Sequence, residues 1–238
     1  MDTGASVSSV ATAPTAEPGR VIALVLAAGA STRFGSDKRQ ARLPDGRSLL
    51  EAVVSAYLDV FDEVWVLTRP GDAYAPAVCA ALGVPCRVCD DAAQGLGHTV
   101  AAGLRMLVAL PEDAAPVQAA LIALADMPWV QANTLRRLRA RFNATGAVVL
   151  PRHGDALGHP RLLPRAVWPG LLGVRAGEHG GGERGGDGEG EGEGEHGGER
   201  LRGDRGARSL IDWSSAEQVD VDDAGVLRDA DTPADLAR

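Results

Sequence analysis

Residues 26–38 read Leu-Ala-Ala-Gly-Ala-Ser-Thr-Arg-Phe-Gly-Ser-Asp-Lys, small residues and two cations set directly after an apolar run. Gly29 and its small neighbours let backbone N–H groups approach phosphate oxygens closely. Arg33 offers a planar fork of donors and Lys38 a mobile point charge. That combination suits a nucleoside triphosphate. The two better-known phosphate loops do not fit: Gly29 and Gly35 are too far apart and no Gly-Lys-Ser/Thr follows, and no G-x-G-x-x-G is present. A second chemical position is Asp126, which follows the apolar run Ala119 to Ala125 and precedes Met127-Pro128. A carboxylate at a strand end beside a phosphate loop is a starting point for Mg²⁺, which takes one or two carboxylates together with phosphate oxygens and water.

The signature in 26–38 resembles that of the MobA-like nucleotidyltransferase superfamily, with Phe34 in place of the commoner methionine. The likeness runs, with one interruption, from Val21 to the C-terminus. The Ala-Ala-Gly form of the loop occurs with Gly-Leu-Gly-His-Thr (95–99), Leu-Ala-Asp-Met-Pro (124–128), Gly-His-Pro (158–160), Gly-Asp-Arg-Gly-Ala-Arg (203–208) and Asp-Ala-Asp-Thr-Pro (229–233). Taken in order, these motifs are most similar to the molybdenum cofactor cytidylyltransferase branch.

The resemblance implies a three-layer, Rossmann-like α/β fold with a mostly parallel, mixed central sheet. It implies transfer of CMP from CTP to the phosphate of molybdopterin with release of pyrophosphate, and a molybdoenzyme or its chaperone as a partner. On this reading Leu26, Ala27, Ala28, Gly29, Arg33, Lys38, Gly97 and Thr99 bind the nucleotide, and Arg33, Lys38 and Asp126 carry catalysis. Asp126 and Asp229 hold Mg²⁺, with Asp231 the next candidate or else the cap of the last helix. His159 and Arg208 face the acceptor, although a histidine between Gly and Pro also suits a plain turn. His98 is either part of nucleotide recognition or a solvent-facing residue at a helix start. An acceptor phosphate is already ionised near neutrality, so alignment and charge neutralisation suffice without a general base. Ala28, where guanylyl-transferring relatives usually carry Gly, narrows the space near the base and favours CTP; one methyl group gives only modest discrimination. The alternatives are a guanylyltransferase for the same cofactor, an NTP transferase for another phosphorylated acceptor, and a nucleotide-binding regulatory protein without turnover.

The elements that must position these residues follow from apolar periodicity. Val21 to Leu26 is an uncharged β-branched and aliphatic run, the pattern of a strand buried on both faces. Ser48-Leu49-Leu50-Glu51 opens a helix from about 48 to 60 with a capping box. A strand over Glu63 to Thr68, a helix over Asp72 to Leu82 and a strand over Val84 to Cys89 continue the alternation. Further on, the pattern predicts a helix over Gly97 to Leu110, a strand over Ala119 to Leu124, a helix capped by Asn133 and running to Phe142, and a strand over Ala147 to Leu150. Near the C-terminus, Gln218 to Val221 and Val226 to Arg228 flank Asp222-Asp223-Ala224-Gly225 as a hairpin, followed by a helix starting at Pro233.

The chain has 238 residues with 45% hydrophobic content, enough for one α/β domain with a sizeable core. The expected organisation is a disordered tail over 1–19 and a single nucleotidyltransferase domain over 20–238, interrupted by a disordered Gly/Glu-rich insertion at 176–200. Of the formal charge of −8, residues 177–200 account for −6, so the remainder carries only −2. Neither a nucleic-acid surface nor a membrane span is expected, and a cytoplasmic location is. Cys86 and Cys89 form C-x-x-C on a strand-like alternation without further zinc ligands at suitable spacing, so they and Cys79 read as reduced structural cysteines.

Overall fold

A computed structural model describes residues 20–29, 34, 36–111, 115–172 and 213–237. Arg33 and Arg208, the tail over 1–19 and the Gly/Glu stretch therefore lie outside the described residues.

Alternation of side chains along the first strand, β1 (Arg20–Leu26), explains the layering. Val21, Ala23 and Val25 join one buried cluster while Ile22, Leu24 and Leu26 join another. A strand apolar on both faces needs cover on both. The helices α1 (Leu49–Leu58), α2 (Tyr74–Leu82) and α4 (Ala132–Thr145) supply it on the first face. The second face is covered by α3 (Leu96–Val108) and α5 (Trp168–Leu172). This is the expected α/β three-layer arrangement.

Flanking β1 are β2 (Glu63–Thr68) and β4 (Val117–Leu124), both parallel to it, and β3 (Cys86–Val88) extends the parallel edge beyond β2. Leu26 lies opposite both Leu67 and Leu124, so the loops after β1, β2 and β4 leave the sheet at one level. Beyond β4 the sheet becomes mixed. The strand β7 (Arg161–Pro164) runs antiparallel between β4 and β5 (Val149–His153). The short β6 (Ala156–Leu157) hairpins onto β5, and β8 (Glu217–Asp220) pairs with β5 in parallel.

The capping box is present: the Ser48 hydroxyl accepts the Glu51 amide and the Glu51 carboxylate accepts the Ser48 amide. Three local expectations are corrected. The segment 226–228 does not form a strand. The Asp223 carboxylate accepts the Gly225 amide and starts a 3-10 turn over Ala224–Leu227, so no hairpin follows β8. Asn133 does not cap α4; the helix begins at Ala132 with Gln131 at the cap position, two residues earlier than expected, and buried Asp223 accepts the Gln131 amide and the Thr134 hydroxyl from 92 and 89 residues away. At the C-terminus a 3-10 turn over Pro233–Ala237 replaces the expected helix. Asp235 accepts the Asp231 and Thr232 amides there.

Candidate active site

The loop after β1 opens at the carboxyl edge of the sheet, the side on which open α/β sheets bind ligands. Beside it lies a cleft of about 700 Å³. Leu26, Ala28 and Gly29 line it from β1, Leu124 and Asp126 from β4, Arg69 and Pro70 from β2, and Gly95, Leu96 and Thr99 from the start of α3. Gly95 has φ of 115°, a conformation strained for any residue with a Cβ, and it turns the chain into α3. The Thr99 hydroxyl donates to the Gly95 carbonyl at 3.4 Å. Gly97 lies between these residues in sequence but does not line the cleft.

Lys38 and Asp126, 88 residues apart, meet at this edge. Lys38 Nζ donates to Asp126 Oδ2 at 2.6 Å and lies 3.6 Å from Asp231 Oδ1. The other Asp126 oxygen, Oδ1, is buried with no hydrogen-bond partner among the described residues. An ionised oxygen in that condition is costly unless a cation or donor reaches it. The donor set suits a hard divalent cation. No three His, Cys, Asp or Glu side chains gather to hold an ion among the described residues. Mg²⁺ takes one or two carboxylates together with phosphate oxygens and water.

The C-terminal segment reaches this point through two backbone hydrogen bonds. His159 N donates to Val226 O at 2.9 Å, and Ala230 N donates to Asp126 O at 2.8 Å. The second bond places Asp229 and Asp231 on either side of the residue tied to Asp126. Gly158 is required by close approach, since a Cβ there would lie 2.3 Å from Val226 O. His159 is thereby docked against the segment that carries both aspartates. Trp129, three residues past Asp126, has the Arg228 guanidinium 3.5 Å from its ring centroid, a cation–π contact between the same two segments.

Residues 23–185 match the sequence model of the MobA-like NTP transferase domain. The chain belongs to that family. The bifunctional protein GlmU of Mycobacterium leprae is 34% identical over 155 residues, 61% of this chain and 30% of that protein. The chain spans about three tenths of the length of such GlmU relatives. A protein of Mycolicibacterium paratuberculosis, named a probable molybdenum cofactor guanylyltransferase, is 29% identical over 215 residues, covering 90% of this chain and 91% of its own. The crystal structure of Rv0371c from Mycobacterium tuberculosis shares the fold at a TM-score of 0.65 and 23% identity, covering 93% of this chain and 97% of that one. A manganese complex of Rv0371c aligns at a TM-score of 0.57 and 22% identity, over 85% and 88% of the two chains.

Within this site, Ala27 is not among the residues that line the cleft. Its side chain is buried, its amide donates to Leu67 O and its carbonyl accepts from Arg39, so it shapes the loop without offering a donor to a ligand. His98 is half-buried rather than solvent-facing, with Nε2 buried and unpartnered among the described residues. Residue-by-residue reading missed Arg69 and Arg39. Arg69 follows β2 at the same sheet edge and donates to Gly29 O at 2.7 Å; its signal was a charge ending an apolar strand. Arg39 is a buried cation at the base of the loop. Lys38 is the one lysine among 24 cationic residues. Arginine serves everywhere else, so a lysine kept at this position was readable from composition.

No helix among the described residues is long and apolar enough to cross a membrane.

Proposed function

We propose that this chain is a divalent-metal-dependent nucleotidyltransferase that moves a nucleoside monophosphate from an NTP onto the phosphate of a molybdopterin-type acceptor. The observation that carries the reading is the meeting of Lys38 with Asp126, which lines the cleft, and with Asp231. An acceptor phosphate oxygen attacks the α-phosphorus as the bond to the bridging α,β-oxygen breaks, and pyrophosphate leaves with that electron pair. The nucleophile is already ionised, so the chain's task is to align it and to neutralise charge.

Asp126 would hold the cation through its unpartnered Oδ1, with Asp229 or Asp231 as the second carboxylate; Mg²⁺ is the proposed ion. When bound, the cation supplies neutralisation of the triphosphate oxygens. Lys38 exchanges its carboxylate partners for the α-phosphate, where charge grows in the transition state, and Arg33 takes the β- and γ-phosphates. The base and ribose lie along the cleft against Ala28, Leu96 and Thr99. His159 and Arg208 would contact the acceptor.

Ala28 lining the cleft supports CTP as donor, because its methyl group takes space that a purine would need. GTP is the second reading, favoured by likeness to the guanylyltransferase-named protein over nine-tenths of both chains. The test is pyrophosphate release from CTP, GTP, ATP and UTP with Mg²⁺, with and without molybdenum-loaded molybdopterin. Acceptor-dependent release from CTP supports the first reading, and preference for GTP moves it to the second. Absence of release with every nucleotide overturns transfer to this acceptor.

A further inference from the structure

Arg39 is 3% exposed, and nearly all its side-chain donors bridge the two ends of the signature loop. Ahead of the loop, Nη1 donates to Ala27 O at 2.8 Å. Behind it, Nε donates to Asp37 Oδ1 at 2.8 Å and Nη2 to Asp37 Oδ2 at 2.5 Å. Nη1 also reaches Asp72, whose carboxylate in turn accepts the Thr68 hydroxyl and caps the start of α2 through the Tyr74 and Ala75 amides. One side chain therefore closes the base of the loop and ties it to the end of β2.

Arg39 follows Lys38 in a 3-10 turn over Lys38–Gln40 that Asp37 caps. Successive residues in such a turn project about 120° apart. With Arg39 driven into the protein, Lys38 is turned toward the sheet edge and Asp126. A planar fork can hold Asp37 and Ala27 together, which a point charge or an apolar side chain cannot.

We propose that Arg39 is a positioning residue that sets the direction of Lys38 for nucleotidyl transfer. The inference rests on the function proposed above and adds a device to it: the fork fixes the rotation of the turn, and the turn aims the ammonium.

The experiment uses Arg39→Gln, Lys38→Ala and the double variant in the full chain, with thermal melting to confirm folding. Because Lys38 is the single lysine, reductive methylation with peptide mapping reads its environment directly and needs no turnover. The expected result is several-fold faster methylation of Lys38 in Arg39→Gln than in wild type. It is accompanied by a fall in kcat of about tenfold or more, KM for the NTP within about threefold, and less than about twofold further loss in the Lys38→Ala background. Unchanged methylation, or losses in kcat that multiply in the double variant, would overturn the proposal. If Arg39→Gln fails to fold, Asp37→Asn loosens one arm of the fork while leaving the Arg39–Asp72 pair, and the same outcomes apply. A wild-type protein without transfer activity defeats the functional reading alone, since the methylation comparison still decides whether Arg39 aims Lys38.

Discussion

Lys38 Nζ and Asp126 Oδ2 are 2.6 Å apart, joining the end of the signature loop to the end of β4. On the proposed function, the cation assigned to a phosphate is held by the carboxylate assigned to the metal before any nucleotide arrives. The pair holds both side chains in one orientation at the sheet edge.

Lys38→Ala should lower kcat by about 10²–10³ with little change in KM, as expected for a charge used chiefly in the transition state. Lys38→Arg should recover little of it, because a planar guanidinium cannot replace a compact ammonium between Asp126 and Asp231. Steady-state kinetics on the three proteins reads both effects; near-wild-type turnover in Lys38→Arg would contradict this account.

The carboxylates can be ranked. Asp126→Asn should reduce metal-dependent turnover by about 10² or more and weaken Mn²⁺ binding in the presence of nucleotide, followed by electron paramagnetic resonance. Comparing Asp229→Asn with Asp231→Asn in that assay identifies the second ligand as whichever substitution raises the Mn²⁺ dissociation constant. Equal, undiminished binding in both would leave Asp126 as the sole carboxylate ligand.

Acid stability should depend on the buried fork below the loop. Burial pushes the Asp72 carboxyl up, but hydrogen bonds from Arg39, Thr68 and the Ala75 amide more than reverse this and bring it down to about 2. A carboxyl whose folded pKa is depressed contributes stability that is fully present above its unfolded value near about 4 and is lost as pH falls toward about 2. Urea midpoints should drop across that window in wild type and drop less in Asp72→Asn. Parallel slopes would sink the assignment.

The thiols should differ in reactivity. Burial, followed by the neighbouring Cys86, pushes Cys79 up to about 12; burial, followed by Asp90 and Asp91, pushes Cys89 up to about 11. At pH 8 their thiolate fractions are on the order of 10⁻⁴ and 10⁻³, so half-buried Cys86 should alkylate first in the native protein, with all three reacting after denaturation. Mass spectrometry after iodoacetamide treatment gives the order.

The first five alternating elements were legible because each has a clean local signature: an uncharged strand, the Ser48 and Glu51 box, a period switching from two to 3.6. Asp126 was legible because it ends such a run. What was not legible depends on distance along the chain. The insertion of β7 between β4 and β5 leaves no local trace. The start of α4 is set by Asp223, some 90 residues on, and the same Asp223 converts a hairpin-like pattern into a 3-10 turn by taking the Gly225 amide. Arg39 reads as one more surface charge until Ala27, Asp37 and Asp72 are seen around it.

The shared level of Leu26, Leu67 and Leu124 separates two kinds of length change during evolution. Residues added beyond the strand ends alter what the cleft accepts while leaving Asp126 and Lys38 in place. A single residue deleted inside β4 would draw Asp126 back by about 3.3 Å and turn it to the opposite face of the sheet. Variation in this lineage should therefore accumulate in the loops, while the strand lengths behave as a fixed ruler.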